Sequence, residues 1–350
     1  MNFYITADRV GIPTGGGIVT HHEREALRSL GEEVVTVTLN HSLPAADPFS
    51  QDQEILGRVK HLTKGFWVRP TIAHCYAGCL TETVRYLRSI GCKVTYTAAA
   101  HSIEVSKREH QKLGIPFLYP HLIQPELWEK YVAGYLEADC LVCPSTYSKR
   151  VMESYGAKKV EVIPHGCNLP EKVAPLPEKL VVGYLGAFGP DKGIIYLLDA
   201  WKRLNYDDAV LVLAGASSTS PYVTELIEAF GGGTIVQLGW VHDVSEFYNN
   251  ISLLIQPSAS EGFGCEVLEA MSAGRIAICS DGAGAADVAL FVVHSCDPTE
   301  IAKYIDAFKT NKGNVLEGYS EKSRETAKDY TWDKIEKRYV NFWQNLLKGN

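Results

Sequence analysis

Two glutamates, Glu261 and Glu269, stand in the segment 261–269, Glu-Gly-Phe-Gly-Cys-Glu-Val-Leu-Glu. The segment follows an apolar run at 252–256 and a turn at 257–260, so Glu261 falls in a loop and a helix is expected from about Cys265 through Ala273. Glu269 then sits about one and a half turns into that helix, and both carboxylates can address one elongated ligand. Carboxylates suit vicinal diols, as the acidic residue of dinucleotide sites suits ribose. Gly262 and Gly264 would let backbone N–H groups face the same ligand. The competing account is a solvated loop carboxylate beside a helix carboxylate in an ion pair. Two glycines and a position after a buried strand weigh against it.

A second loop, 186–193, reads Gly-Ala-Phe-Gly-Pro-Asp-Lys-Gly. Lys192 there can place its ammonium over a departing diphosphate, although a solvated surface lysine fits the same position. A third loop, 11–17, ends in Gly15, Gly16 and Gly17 before a helix, where positive φ and a helix amino terminus suit an anion. A flexible turn is the equal alternative. Its spacing matches neither the dinucleotide fingerprint nor the triphosphate-binding P-loop, which disfavours a dehydrogenase or an ATPase. His101 ends the apolar run 94–100 at a strand end.

Other pairs carry less. His21 and His22 occupy adjacent helix positions that point apart, so no metal is assigned to them. Cys140 and Cys143 flank Leu141 and Val142 within a strand and lack a second ligand pair, which reads as core packing. No Asp-x-Asp occurs to hold a metal-bound diphosphate. Metal-independent neutralisation by Lys192, backbone N–H groups and an arginine is the expectation.

Positioning these loops requires a particular frame. Strand-like runs at 2–7, 34–39, 72–75, 93–98, 140–144 and 160–163 alternate with helical stretches at 19–30, 79–90, 127–136 and 145–155, the pattern of a parallel sheet covered on both faces. After a proline-rich stretch, 165–179, the pattern restarts with strands at 180–185, 210–214, 234–238, 252–256 and 276–279 and a helix at 193–204. The chain has 350 residues, about two domain lengths. The expected organisation is an α/β amino-terminal domain over 1–168 and a carboxy-terminal one over 169–330. A closing helix at 320–347, with Trp332, Ile335, Tyr339, Phe342 and Trp343 on one face, could lie against either domain. Ligands of such sheets bind beyond the strand carboxyl ends, so two facing domains would form a cleft.

A net charge of −7 excludes a mainly electrostatic nucleic-acid binder. No run approaches a membrane span, and residues 1–10 lack a leader's basic and apolar parts. Nine cysteines, an odd and scattered set, fit a reducing cytoplasm.

Taken in order, these parts resemble the retaining glycosyltransferase family 4, whose fold, GT-B, sets two Rossmann-like doubly wound parallel-sheet domains face to face. The resemblance rests on the loop Gly15, Gly16, Gly17 and its helix, the strand ending at His101, the segments 138–145 and 162–168, the loop 186–193, and the Glu-x7-Glu segment followed by 270–274. It implies that Glu269 binds ribose hydroxyls and that Glu261, with the N–H groups of Gly262, Phe263 and Gly264, holds the donor sugar. Lys192 would neutralise the diphosphate, Gly16 would approach it from the other domain, and His101 would lie near the sugar. Ala187, Val241 and Leu268 complete the implied donor surface, and residues 240–243 would face the base.

The implied reaction moves a hexose from a nucleoside diphosphate sugar, UDP-glucose or GDP-mannose, to a glycan or lipid acceptor with retained configuration and no metal or other cofactor. Peripheral membrane contact stays open. The acceptor would meet the loops 43–53 and 104–119. Two departures stand out: Ala187 where the family has arginine, and Arg275 where proline is common. The first keeps open a non-catalytic nucleotide-sugar-binding partner protein. An epimerase on the same fold is a further alternative.

Overall fold

Short runs rich in Val, Ile and Leu form the central strands, such as residues 181–185, 253–256 and 276–280, because the middle of each sheet is covered on both faces. The structure, a computed structural model, describes residues 1–6, 15–39, 48–64, 70–76, 78–115, 125–215, 221–230, 234–311 and 314–349. Contacts divide the chain into two units. Met1–Ala100, Leu118–His165 and Trp332–Asn350 form the first; His101–Phe117 and Gly166–Thr331 form the second.

The first unit contains β1 (Asn2–Thr6), α1 (Gly15–Arg28), β2 (Val34–Thr38), α2 (Pro48–Lys64), β3 (Ile72–Tyr76), α3 (Thr81–Ser89) and β4 (Lys93–Thr97). Helix α4 (Ile103–Lys112) belongs to the second unit, and α5 (Pro125–Glu137), β5 (Cys140–Cys143), α6 (Thr146–Ser154) and β6 (Val160–Val162) return to the first. The sheet is parallel with order β2-β1-β3-β4-β5-β6. Phe3 pairs with Val35 on one side and Ala73 on the other, so the order reverses at β1.

The second unit carries β7 (Val181–Leu185), α7 (Ile194–Leu204), β8 (Val210–Ala214), α8 (Pro221–Phe230), β9 (Ile235–Gly239), α9 (Val244–Asn249), β10 (Leu253–Gln256), α10 (Cys265–Ser272), β11 (Ile276–Ser280), β12 (Phe291–Val293), α11 (Pro298–Thr310) and α12 (Asn314–Ala327). Its parallel sheet has order β12-β11-β10-β7-β8-β9. Leu253 pairs with Val182, which puts β10 beside β7 and reverses the strand order there. Two loops leave the carboxyl ends of these strands at that switch point, where ligands of such sheets bind. They are the loops of Lys192 and Glu261.

Several expectations need correction. Residues 320–347 are not one helix: α12 ends at Ala327, a 3₁₀ turn spans Lys328–Tyr330, and α13 (Trp332–Lys348) follows in the first unit. The break has a tertiary cause, since the Tyr330 carbonyl accepts the Cys167 N–H at 2.9 Å and is thereby diverted from a helical ladder. Helix α13 lies on α1 and buries Trp332, Ile335, Tyr339 and Trp343. The expected loop 104–119 is helical through Lys112, capped by the Ser102 hydroxyl accepting the Val105 N–H. Likewise 48–53 begins α2. Residues 11–14, 43–47 and 116–119 lie outside the described residues. Among the described residues, no helix is long and apolar enough to cross a membrane.

Candidate active site

Glycine chemistry sets the loop after β7. Gly186 adopts φ 154°, and after Gly189 the chain makes one 3₁₀ turn, Pro190–Lys192, ended by Gly193 at φ 71°. A Cβ on Gly193 would stand 2.1 Å from the Pro257 carbonyl oxygen, so only glycine lets this loop press against the one after β10. The Asp191 carbonyl ties them further, accepting the N–H groups of Ala259 at 2.8 Å and Ser260 at 3.3 Å. The result brings Lys192 into a direct ion pair with Glu261.

Glu261 is itself held by its backbone. Its N–H donates to the Gly282 carbonyl at 2.9 Å, and its carbonyl accepts the Gly284 N–H at 3.0 Å, a short parallel bridge to the segment after β11. Both partners of the ion pair keep about a fifth to a quarter of their side-chain surface, 24% for Lys192 and 20% for Glu261. Burial alone would lower the Lys192 pKa, but Glu261, Asp191 and Glu266 outweigh it and hold the ammonium above its ordinary range.

His101 comes to the same place from far away in sequence. The Ser102 N–H donates to the Ser260 hydroxyl at 2.7 Å, next to Glu261. Desolvation lowers the His101 pKa; Asp191 and Glu261 oppose that effect and Lys192 adds to it. The three residues assigned to chemistry from sequence therefore converge within one unit.

Gly264, at φ 95°, caps α10, whose first turns carry Glu266 and Glu269. Tyr248 donates its hydroxyl to Glu269 at 2.8 Å. Burial raises the Glu269 pKa, and this hydrogen bond works against the rise. Gly262 and Phe263 are buried; the Phe263 carbonyl accepts the Ala285 N–H at 2.6 Å, which anchors the turn. Leu268 is fully buried in the core and presents no surface to a ligand. Val241 lines an apolar cavity of 440 Å³ with Val212, Leu238, Phe247 and Ile251. Gly15, Gly16 and Gly17 open α1 in the first unit, where the Thr20 hydroxyl donates to the Gly17 carbonyl at 2.9 Å.

Ala187 is exposed and its carbonyl accepts the Tyr184 hydroxyl. The other unusual residue, Arg275, is fully buried and donates to the carbonyls of Ala174 at 2.7 Å and Pro175 at 3.3 Å. The guanidinium straps the proline-rich segment onto the second unit. Arg324 does the same at Pro170, 2.7 Å away.

Sequence reasoning missed Glu266. Burial, then repulsion from Glu261, pushes its carboxyl up to about 8. It also missed Asp191 and Tyr248 as neighbours of the lysine and the second glutamate. Among the described residues no trio of His, Cys, Asp or Glu is arranged to hold a metal ion. His22 pairs with Glu336 at 2.6 Å and stacks on Trp332, so it serves the contact between α1 and α13. Cys140 and Cys143 are buried free thiols, raised in pKa by burial.

Residues 167–329 match the family described as glycosyl transferases group 1. An uncharacterized glycosyltransferase of Methanocaldococcus jannaschii is 23% identical over 79% of this chain and 76% of its own length. Further curated relatives are matched over about half of theirs. Sucrose-phosphate synthase of Thermosynechococcus elongatus has the same fold, with TM-score 0.78 and 18% identity over the whole of both chains. So does the Anabaena protein HepE, solved in complex with UDP and glucose: TM-score 0.70 and 16% identity over 99% of this chain and all of that one. Two six-stranded parallel sheets with covering helices and these neighbours establish a two-domain α/β fold of the GT-B type.

Proposed function

We propose, on the premise that the chain belongs to the group 1 glycosyltransferases through residues 167–329, that it transfers a hexose from a nucleoside diphosphate sugar to a glycan or lipid acceptor with retained configuration. The observation that carries this reading is the Lys192–Glu261 ion pair at the switch point, with Glu269 farther along α10. A diphosphate entering the site takes over the ammonium of Lys192, which neutralises charge as the leaving group departs. Glu261, released from the lysine, accepts hydrogen bonds from sugar hydroxyls. Glu269, oriented by Tyr248, accepts those of ribose.

His101 lies beside Glu261 and Lys192 and contacts the sugar in this reading. The leaving phosphate takes the proton of the incoming hydroxyl on the same face, so positioning and electrostatics supply the rate rather than a protein nucleophile. No metal enters. UDP-sugars are the first donors to test, a choice supported by UDP in HepE, with GDP-mannose next. Nine free cysteines support a reducing, cytoplasmic setting.

The test is a panel of UDP-, GDP- and ADP-sugars offered to the purified chain with and without EDTA. Transfer or slow donor hydrolysis that survives EDTA is expected. Absence of binding and hydrolysis across the panel sinks the reading, and complete loss with EDTA sinks its metal-free form. The exposed Ala187, which brings no cation, favours a second reading as a nucleotide-sugar binder without turnover. Multiple turnovers on an added acceptor, abolished in Glu261→Ala, exclude it.

A further inference from the structure

Glu266 lies at the second residue of α10, within the site but without a role in the account above. Its Oε1 stands 3.9 Å from the point where a side chain on Gly186 would begin, so the carboxyl leans toward the loop that carries Lys192. Among the described residues the one donor to that carboxyl is its own backbone N–H. The nearby cation, Lys192, is already paired with Glu261. The side chain keeps an intermediate exposure, which leaves it reachable by a ligand.

The groups that face it leave an excess of negative charge. Glu261 reaches it from the loop after β10, Lys192 from the turn after β7, and Glu269 from the next turn of α10. Tyr184 from β7, Tyr248 from α9, Cys265 beside it and Cys279 from β11 are all neutral, their pKa values raised by burial. One ammonium thus faces three carboxyl groups, with Asp191 close to the lysine as a fourth. A diphosphate would add further negative charge.

We infer that Glu266 couples donor binding to a proton: neutral, it donates its O–H to an anionic oxygen of the nucleoside diphosphate, and ionised, it repels that oxygen. The inference rests on the nucleotide-sugar reading above. A protonated carboxyl is a hydrogen-bond donor, which is what an anion needs where a second cation is lacking. Burial and the Glu261 charge push Glu266 up to about 8, so the donating form prevails in neutral solution and is lost in mild alkali. A bound anion favours the protonated form further. Binding therefore takes up a proton at alkaline pH, and Kd rises about tenfold for each pH unit above the free-state value.

The experiment is calorimetric titration of UDP and of GDP into the full chain from about pH 7 to about pH 9.5, for the wild type and Glu266→Gln, in buffers of different ionisation enthalpy. The wild type should lose about fivefold in affinity between about pH 8 and pH 9 and show proton uptake on binding. Glu266→Gln keeps an N–H donor and never ionises, so its Kd should change less than about twofold across the same range. Glu266→Val removes both charge and donor; it should bind several-fold more weakly than Glu266→Gln at neutral pH and be equally flat. Identical pH profiles in the wild type and Glu266→Gln, or no proton uptake by the wild type, overturn the inference and leave the nucleotide reading intact. Failure of every protein to bind either nucleotide at any pH overturns both.

Discussion

Glu23 in α1 and Glu266 in α10 are both enclosed glutamates in parallel-sheet units, and they meet opposite fates. Glu23 is fully buried and has four partners: Thr97 and Tyr339 donate to one oxygen at 2.7 and 2.8 Å, while Tyr4 at 2.8 Å and His74 at 3.3 Å approach the other. Burial alone would raise its pKa, but these partners outweigh the desolvation and lower it. The network continues through Thr95, which binds His74 at 2.8 Å and accepts the Trp343 indole N–H at 3.1 Å, and so fastens α13 to the sheet. Glu266 has no comparable partners and is pushed up to about 8. An enclosed acid satisfied from within belongs to the architecture; one left unsatisfied beside a paired lysine waits for something from outside.

Removing Glu23 should break this contrast most severely. Glu23→Ala orphans buried donors on β1, β4 and α13, and about 3–5 kcal/mol of stability should be lost in denaturant titration. Its carboxylate stabilises the fold above the ordinary carboxylate pKa, and that contribution disappears as pH falls through the lowered folded value. Lys192→Ala should act on rate instead, lowering turnover about 10²–10³-fold, or about 3–4 kcal/mol, with the fold retained by circular dichroism.

Glu266→Gln should go the other way from Glu23→Ala. The folded wild type holds a proton that the unfolded chain has released, so its stability declines as pH rises from the ordinary carboxylate value to about 8. The variant lacks that decline and should be more stable by on the order of 1–2 kcal/mol at the upper end, read from urea midpoints at the two pH values. The smallest effect belongs to Tyr248→Phe, which removes one hydrogen bond to Glu269. Nucleotide affinity should weaken by about 0.5–1.5 kcal/mol in calorimetry, and an unchanged affinity would separate Tyr248 from the ligand site.

The frame was readable because both sheets are parallel and largely buried: the runs Leu253–Gln256 and Ile276–Ser280 are apolar up to their last residue, and helical stretches fall between them. The elements that escaped have specific reasons. Helix α4 buries Ile103, Ser106, Glu109 and His110, a face too polar to show an apolar period; Glu109 is satisfied by Tyr196, Lys112 and Arg108. Strand β12 spans three residues. The break before α13 depends on Cys167, which lies far from it in sequence.

Within the site, Glu261, Lys192 and the glycines around them could be read because their spacing after strand ends is a local property. Gly193 and Gly264 take the positive φ that their loops require, and no other residue takes it without strain. Glu266 could not be read, since an acidic residue in the first turn of a helix ordinarily complements the helix dipole at a solvated surface. The sequence by itself determined the two parallel sheets, the loops at their carboxyl ends and the residue types those loops present. Only the tertiary structure decided which charges are neighbours: it joined Ser102 to Ser260, paired Lys192 with Glu261 and enclosed Glu266 between them and the sheet. Coulomb energy and desolvation depend on distance and surroundings in space, and separation along the chain encodes neither.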